Sequence, residues 1–122
     1  MPDTKSIAEQ HLPHEFTDCA AILEREIGYN PTYFMGMVAD HRRVDACKRL
    51  IHSTVPSEGF SKLWEARKLD MTVEAISLLP WYDVLFDDRD RAEARRRLEA
   101  HEFDADGFLA QRTAAPPAWW HG

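Results

Sequence analysis

The chain has 122 residues, the length of one ordinary domain, and its 44% apolar and 11% aromatic content is enough for one core without staples. Charged residues make up 30% and the formal net charge is −6, which fits a globular chain rather than a disordered one and argues against non-specific coating of DNA. No apolar run approaches the roughly 18 to 20 residues that span a bilayer, and the polar start from Met1 to Gln10 lacks the order of a secretory signal, so a soluble cytoplasmic protein with no membrane partner is expected.

Ser6-Ile7-Ala8-Glu9 has capping-box form and predicts a short opening helix that stops before Pro13. From about His14 to Ile27, Phe16, Cys19, Ala20, Leu23 and Ile27 trace one helical stripe, and Gly28 supplies the left-handed stop. Asn30-Pro31 restarts a helix, Asn as N-cap and Pro in the first turn, with Phe34, Met37, Val38 and His41 facing inward. A third helix runs from about Val44 to His52, with Val44, Cys47, Leu50 and Ile51 inward.

After the loop 53–57, Ser57 is placed to cap a helix carrying Phe60, Leu63 and Trp64 to about Ala66. Thr72 caps the next, whose stripe is Val73, Ile76 and Leu79 and which Pro80 ends. Trp81, Leu85 and Phe86 read as a buried connector. Asp87 or Asp88 starts a helix to about His101, and Asp104 caps a last short one through Gln111. No internal repeat and no period-two strand pattern interrupts these elements. The expected fold is all-α, a bundle of six or seven short amphipathic helices, with residues 1–112 forming the domain and 113–122 a tail rich in proline and tryptophan.

The charge is unevenly spread. Residues 1–28 carry six acids and two bases, residues 29–69 four acids and seven bases, and residues 70–122 eleven acids and six bases. The basic middle makes the third helix the best nucleic-acid candidate. Turning its apolar stripe inward leaves Asp45, Lys48, Arg49 and His52 outward, just after Arg42 and Arg43, and arginine can fork onto guanine in a major groove. Asp45 weakens that reading, because it can pair with Lys48 or Arg49 and would face phosphates. A plain solvated surface is the alternative.

Other chemistries find less support. Cys19 and Cys47 sit in apolar stripes, which predicts free core thiols rather than a disulfide or a nucleophile. Cys47 lies six residues after His41 and five before His52, offsets that point to other helix faces, and Glu15 one turn before Cys19 would raise its thiol pKa. His11, His14 and Asp18 have near-helical spacing, but Pro13 intervenes and no metal motif is present. Asp83, Asp87, Asp88 and Asp90 lack the glycine and closing glutamate of a calcium loop and read as helix-start carboxylates. Arg95, Arg96 and Arg97 stand three or four residues from Glu93 or Glu99, which predicts intrahelical ion pairs on a solvated face. No catalytic residue, cofactor or metal is therefore assigned. Trp119 and Trp120 either fold back on the helices or anchor a partner or second copy.

The run Tyr29-Asn30-Pro31-Thr32-x-Phe34, Ala46-x-Lys48-x-Leu50, Gly59-Phe60-x-x-Leu63-Trp64, Leu69-Asp70-x-Thr72-Val73-Glu74, Leu85-Phe86 and Ala94-x-x-Arg97-Leu98 resembles a family of small bacterial proteins and appended domains of unassigned function. The likeness covers roughly residues 29–101. Relatives of that kind often carry small residues where this chain has Arg42-Arg43, and they look like domains found beside mobile-element or restriction genes, which is association and not mechanism. The resemblance implies no catalytic residues.

Two functional readings follow. The first is a non-enzymatic interaction module, an adaptor or inhibitor of another protein, using Trp119, Trp120 and the basic set Arg42, Arg43, Lys48, Arg49 and His52. The second is a nucleic-acid-binding regulator using the third helix. An enzyme ranks third, and its sign would be a cleft holding His41 or His52 beside a carboxylate. The first reading expects removal of residues 113–122 to leave the fold intact.

Overall fold

The computed structural model describes residues 4–29 and 43–120. Among them it contains six α-helices and no strand: α1 (Thr4–Ile27), α2 (Arg43–Ile51), α3 (Glu58–Glu65), α4 (Val73–Ser77), α5 (Asp88–Ala100) and α6 (Ala105–Thr113). Two 3-10 turns, Leu69–Met71 and Pro80–Tyr82, join α3 to α4 and α4 to α5. This is the all-α fold expected from the periodicity. The helix anticipated after Asn30-Pro31, with Phe34, Met37, Val38 and His41, lies outside the described residues. So do Arg42 and the side chain of Arg43.

The helix starts follow local side-chain chemistry. Ser57, Thr72 and Asp104 accept the backbone N–H of Phe60, Ala75 and Gly107 at 3.1, 3.1 and 3.0 Å. Asp87 and Asp90 form a reciprocal capping box at the front of α5. Each such cap satisfies a donor that a helix start leaves without a helical partner. At the other end of α1, Gly28 adopts φ +66° and donates to the Glu24 carbonyl at 3.0 Å, the left-handed stop its position predicts.

One expected boundary is wrong. α1 runs unbroken through Pro13, so the short opening helix and its Ser6 capping box do not exist as separate features; Ser6 stands inside the first turns. A proline inside a helix costs about 3 kcal/mol, but the buried positions Ala8, Leu12, Phe16 and Leu23 continue on one face across it. Burying a large apolar side chain returns roughly 1.5–3 kcal/mol each. Docking one long stripe outweighs the local penalty.

α4 sits at the centre, packed chiefly against α5 and also against α2 and the first 3-10 turn. Every residue from Glu74 to Leu79 is buried, as expected of a helix enclosed on all sides. Around it gather Ile51, Phe60, Trp81, Tyr82, Phe86 and Leu98, with Leu12 and Phe16 arriving from α1. The connector Trp81, Leu85 and Phe86 is buried as expected. Trp64 is not: half its surface is exposed, and its ring meets the edge of His101 at 5.0 Å.

A second correction concerns the three arginines of α5. Arg96 pairs with Glu93, and Arg95 with Glu99 at 3.3 Å and Asp106 at 2.9 Å, all on the solvated face. Arg97 instead turns inward and is 4% exposed. It meets the Glu74 carboxylate at 3.0 Å, donates to the Leu50 carbonyl at 2.9 Å, and donates to the Ser53 carbonyl. The arginine thus ties the end of α2 and its following loop to α4 and α5. Burial pushes the Glu74 carboxyl above its ordinary range, and hydrogen bonding by Arg97 only partly opposes this.

Candidate functional site

Lys48 and His52 are four residues apart at the end of α2 and therefore share a face. That face meets the start of α5. Lys48 Nζ lies 3.1 Å from Asp90 Oδ2, and His52 Nε2 lies 2.7 Å from Asp90 Oδ1. The same carboxylate accepts the Asp87 backbone N–H at 3.1 Å. Burial alone would raise the Asp90 pKa, but hydrogen bonds from His52, Lys48 and Asp87 outweigh it and hold the carboxyl below its usual range.

This arrangement changes the reading of the basic set. Lys48 and His52 are expected to project outward with Asp45 as the local acid; His52 is exposed and Lys48 partly so, and both in addition reach Asp90, distant in sequence and buried. Arg49 remains on the exposed face, and Arg42 and the Arg43 side chain lie outside the described residues. Among the described side chains of the set, Arg49 and His52 are exposed and Lys48 is partly so. His52 does stand beside a carboxylate, but it lines neither of the two clefts described below.

Trp119 and Trp120 fold back onto the core, the first of the two alternatives for the tail. Trp119 stacks parallel to His11, with 4.6 Å between ring centres and 2° between planes, and also lies 5.9 Å from the Tyr82 ring. Trp120 packs 5.4 Å from the ring of Trp81. Both rings remain partly exposed in these contacts. The tail thus lies against the core through these two rings, Trp119 beside Tyr82 and Trp120 beside Trp81.

Beside this tail is a cleft of about 260 Å³ whose wall includes His11, His14, Glu15, Tyr82, Arg112 and Trp119. Glu15 is already engaged there, accepting from the Tyr82 hydroxyl at 3.2 Å and from Arg112 at 3.2 Å. The Arg112 guanidinium lies 5.8 Å from the ring centres of both Trp81 and Phe108, within cation–π range. Through Glu15 and Arg112 the cleft ties α6 to α1. Its histidines and carboxylates do not converge: among the described residues no three His, Cys, Asp or Glu side chains gather to hold a metal ion.

The thiols are free. Cys47 is buried in the core, and burial pushes its pKa far up; the Cys19 thiol is pushed up to about 12, first by burial and then by Glu15. Both are held as neutral thiols, which are poor nucleophiles. No helix among the described residues is long and apolar enough to cross a membrane.

A larger recess, about 640 Å³, opens between the first half of α1, the start of α2 and the turn 83–87. Leu12, Val44, Val84 and Leu85 supply its apolar surface, and Val84 is 41% exposed. Glu9, Asp45, Asp83 and Asp87 also line it, with Lys5 and Lys48. The sequence offered no sign of this groove, because its walls are three segments up to about eighty positions apart. Compared with protein-family models, with curated proteins and with solved structures, the chain matches none.

Proposed function

We propose that this chain is a non-enzymatic protein-interaction module, an adaptor or inhibitor, that receives its partner in the groove between α1, α2 and the turn 83–87. The observation that carries this reading is Val84, an aliphatic side chain left exposed at an open recess with further apolar lining. Apolar surface grouped in a concavity and rimmed by polar residues is the usual mark of a binding face. The alternatives have less to work with. Lys48 and His52 hold Asp90, Glu15 holds Tyr82 and Arg112, and burial pushes the pKa of both thiols up. Two free cysteines fit a reducing, cytoplasmic setting. The motif resemblance extends the reading to a bacterial protein associated with mobile elements or defence.

The test is capture from native-source lysate with the tagged full chain, split into nuclease-treated and untreated halves, followed by reconstitution with the purified partner. A one-to-one protein complex in both halves, weakened by Val84→Gln, is expected. Recovery only without nuclease would replace this reading with nucleic-acid binding, and Arg49 would become the first residue to substitute.

A further inference from the structure

The lining of the groove specifies more than apolar contact. Four acidic residues line it from all three walls: Glu9 from α1, Asp45 from α2, and Asp83 and Asp87 from the connector, of which Asp87 already caps α5 through the Asp90 backbone N–H. Two lysines accompany them, but the Lys48 ammonium is already drawn onto the buried Asp90 carboxylate. Among the described residues the lining therefore carries an excess of negative charge around an aliphatic surface, on a chain whose net charge is −6. We infer that its occupant is a cationic amphipathic segment of a partner protein, with Lys or Arg meeting Glu9, Asp45 and Asp83 and aliphatic side chains covering Val84 and Val44. The inference rests on the interaction-module reading and adds the chemistry of the partner.

Each half of the lining excludes a different competitor. The carboxylates repel nucleic-acid phosphates and acidic segments, since like charges facing one another cost affinity. The aliphatic surface gives a simple polycation nothing to bury. Only a segment carrying both features satisfies both, which is the helix-in-groove mode with charged flanks. The acidic total adds long-range attraction for such a partner, so association should be fast and salt-sensitive.

The probe is a fluorescein-labelled peptide of Leu and Lys at helical spacing, titrated into the full chain and followed by anisotropy. A Ser/Lys peptide of equal charge and a Leu/Glu peptide of equal apolarity serve as comparisons. The Leu/Lys peptide should bind at least tenfold more tightly than either, and the affinity should fall with added salt. Val84→Gln and the triple variant Glu9→Gln/Asp45→Asn/Asp83→Asn alter exposed side chains; each should keep the thermal midpoint and lose at least tenfold in affinity. Equal binding of the Ser/Lys peptide, or unchanged binding by either variant, would overturn the inference. So would concentration-dependent self-association abolished by Val84→Gln, which would make a second copy the occupant. A captured partner that Val84→Gln releases, with no binding of the Leu/Lys peptide, would defeat the cationic occupant while leaving the module reading standing. Peptide binding that both variants lose, without any protein partner from lysate, would support the groove's selectivity for a cationic amphipathic segment and defeat the module reading, and with it a partner protein as the source of that segment.

Discussion

Replacing either member of the Arg97–Glu74 pair should destabilise the protein severely, while replacing both should not. Both side chains are 4% exposed. Arg97→Met strands the Glu74 carboxylate in the core, and Glu74→Leu strands the guanidinium with only the Leu50 and Ser53 carbonyls as partners. Breaking a buried pair from one side costs about 3–5 kcal/mol, so each single variant should lose a large share of a total near 5–15 kcal/mol. In the double variant no buried charge remains. The Leu50 carbonyl keeps the Ser53 hydroxyl at 2.8 Å, and the Ser53 carbonyl loses its arginine, at about 1–3 kcal/mol. The expected coupling is therefore about 3 kcal/mol or more, at the upper end for contacting residues. Urea unfolding followed by tryptophan fluorescence measures it, with far-UV circular dichroism confirming that the double variant is helical. The pH gives a second reading. Burial raises the Glu74 carboxyl in the fold, so in Arg97→Met its proton is bound more readily folded than unfolded. The variant's deficit should shrink as pH falls through that raised value and grow as pH rises. Additive single losses, or a loss under about 1 kcal/mol for Arg97→Met, would refute the argument from stranded charge.

Three further outcomes follow from named contacts. Asp90 has the opposite sign from Glu74: its carboxyl is held below the ordinary 3.8. Its stabilisation is full above that value and is lost as pH falls toward the folded one, so the difference in thermal midpoint between the native chain and Asp90→Asn should be constant near neutrality and close below pH 3.8. A gap independent of pH would show that the ionised carboxylate is not the stabilising species. Trp120→Ala should cost about 2–3 kcal/mol in urea unfolding, less than full burial of a tryptophan because the ring is only partly buried and packs against Trp81; an unchanged midpoint would mean the tail does not brace the core. Pro13→Ala should stabilise the chain by about 1–3 kcal/mol, because α1 already has helical geometry on both sides of that position. A destabilised variant would show that the proline ring's own packing outweighs the N–H it removes.

The helix ends were the most legible feature of the chain. Ser57, Thr72, Asp87 and Asp104 cap as their positions predict, and Gly28 stops α1, because caps depend on side chains within three residues and on one backbone angle. Pro13 was misleading for the complementary reason: its local penalty is visible in sequence, but the continuous face that overrides it acquires value only when docked. Arg97 and Arg96 are adjacent in sequence and equally close to acidic neighbours. One is nevertheless buried and the other solvated, because their directions differ by about 100° around α5. Trp64 and Trp119 reverse the same lesson, a predicted inward ring left half-exposed and a tail ring stacked on His11.

The sequence by itself determined the all-α class, the element order after residue 43 and most of the core-facing stripes. These follow from period, caps and breakers, which act over one or two turns. Only the tertiary structure decided which charges are internal, that Lys48 and His52 converge on Asp90, and that Glu9, Asp45, Asp83 and Val84 border one groove. Those relations link residues up to 75 positions apart. Hydrophobic burial brings such residues together and is non-directional, so a list of apolar positions predicts that helices pack without predicting which faces meet.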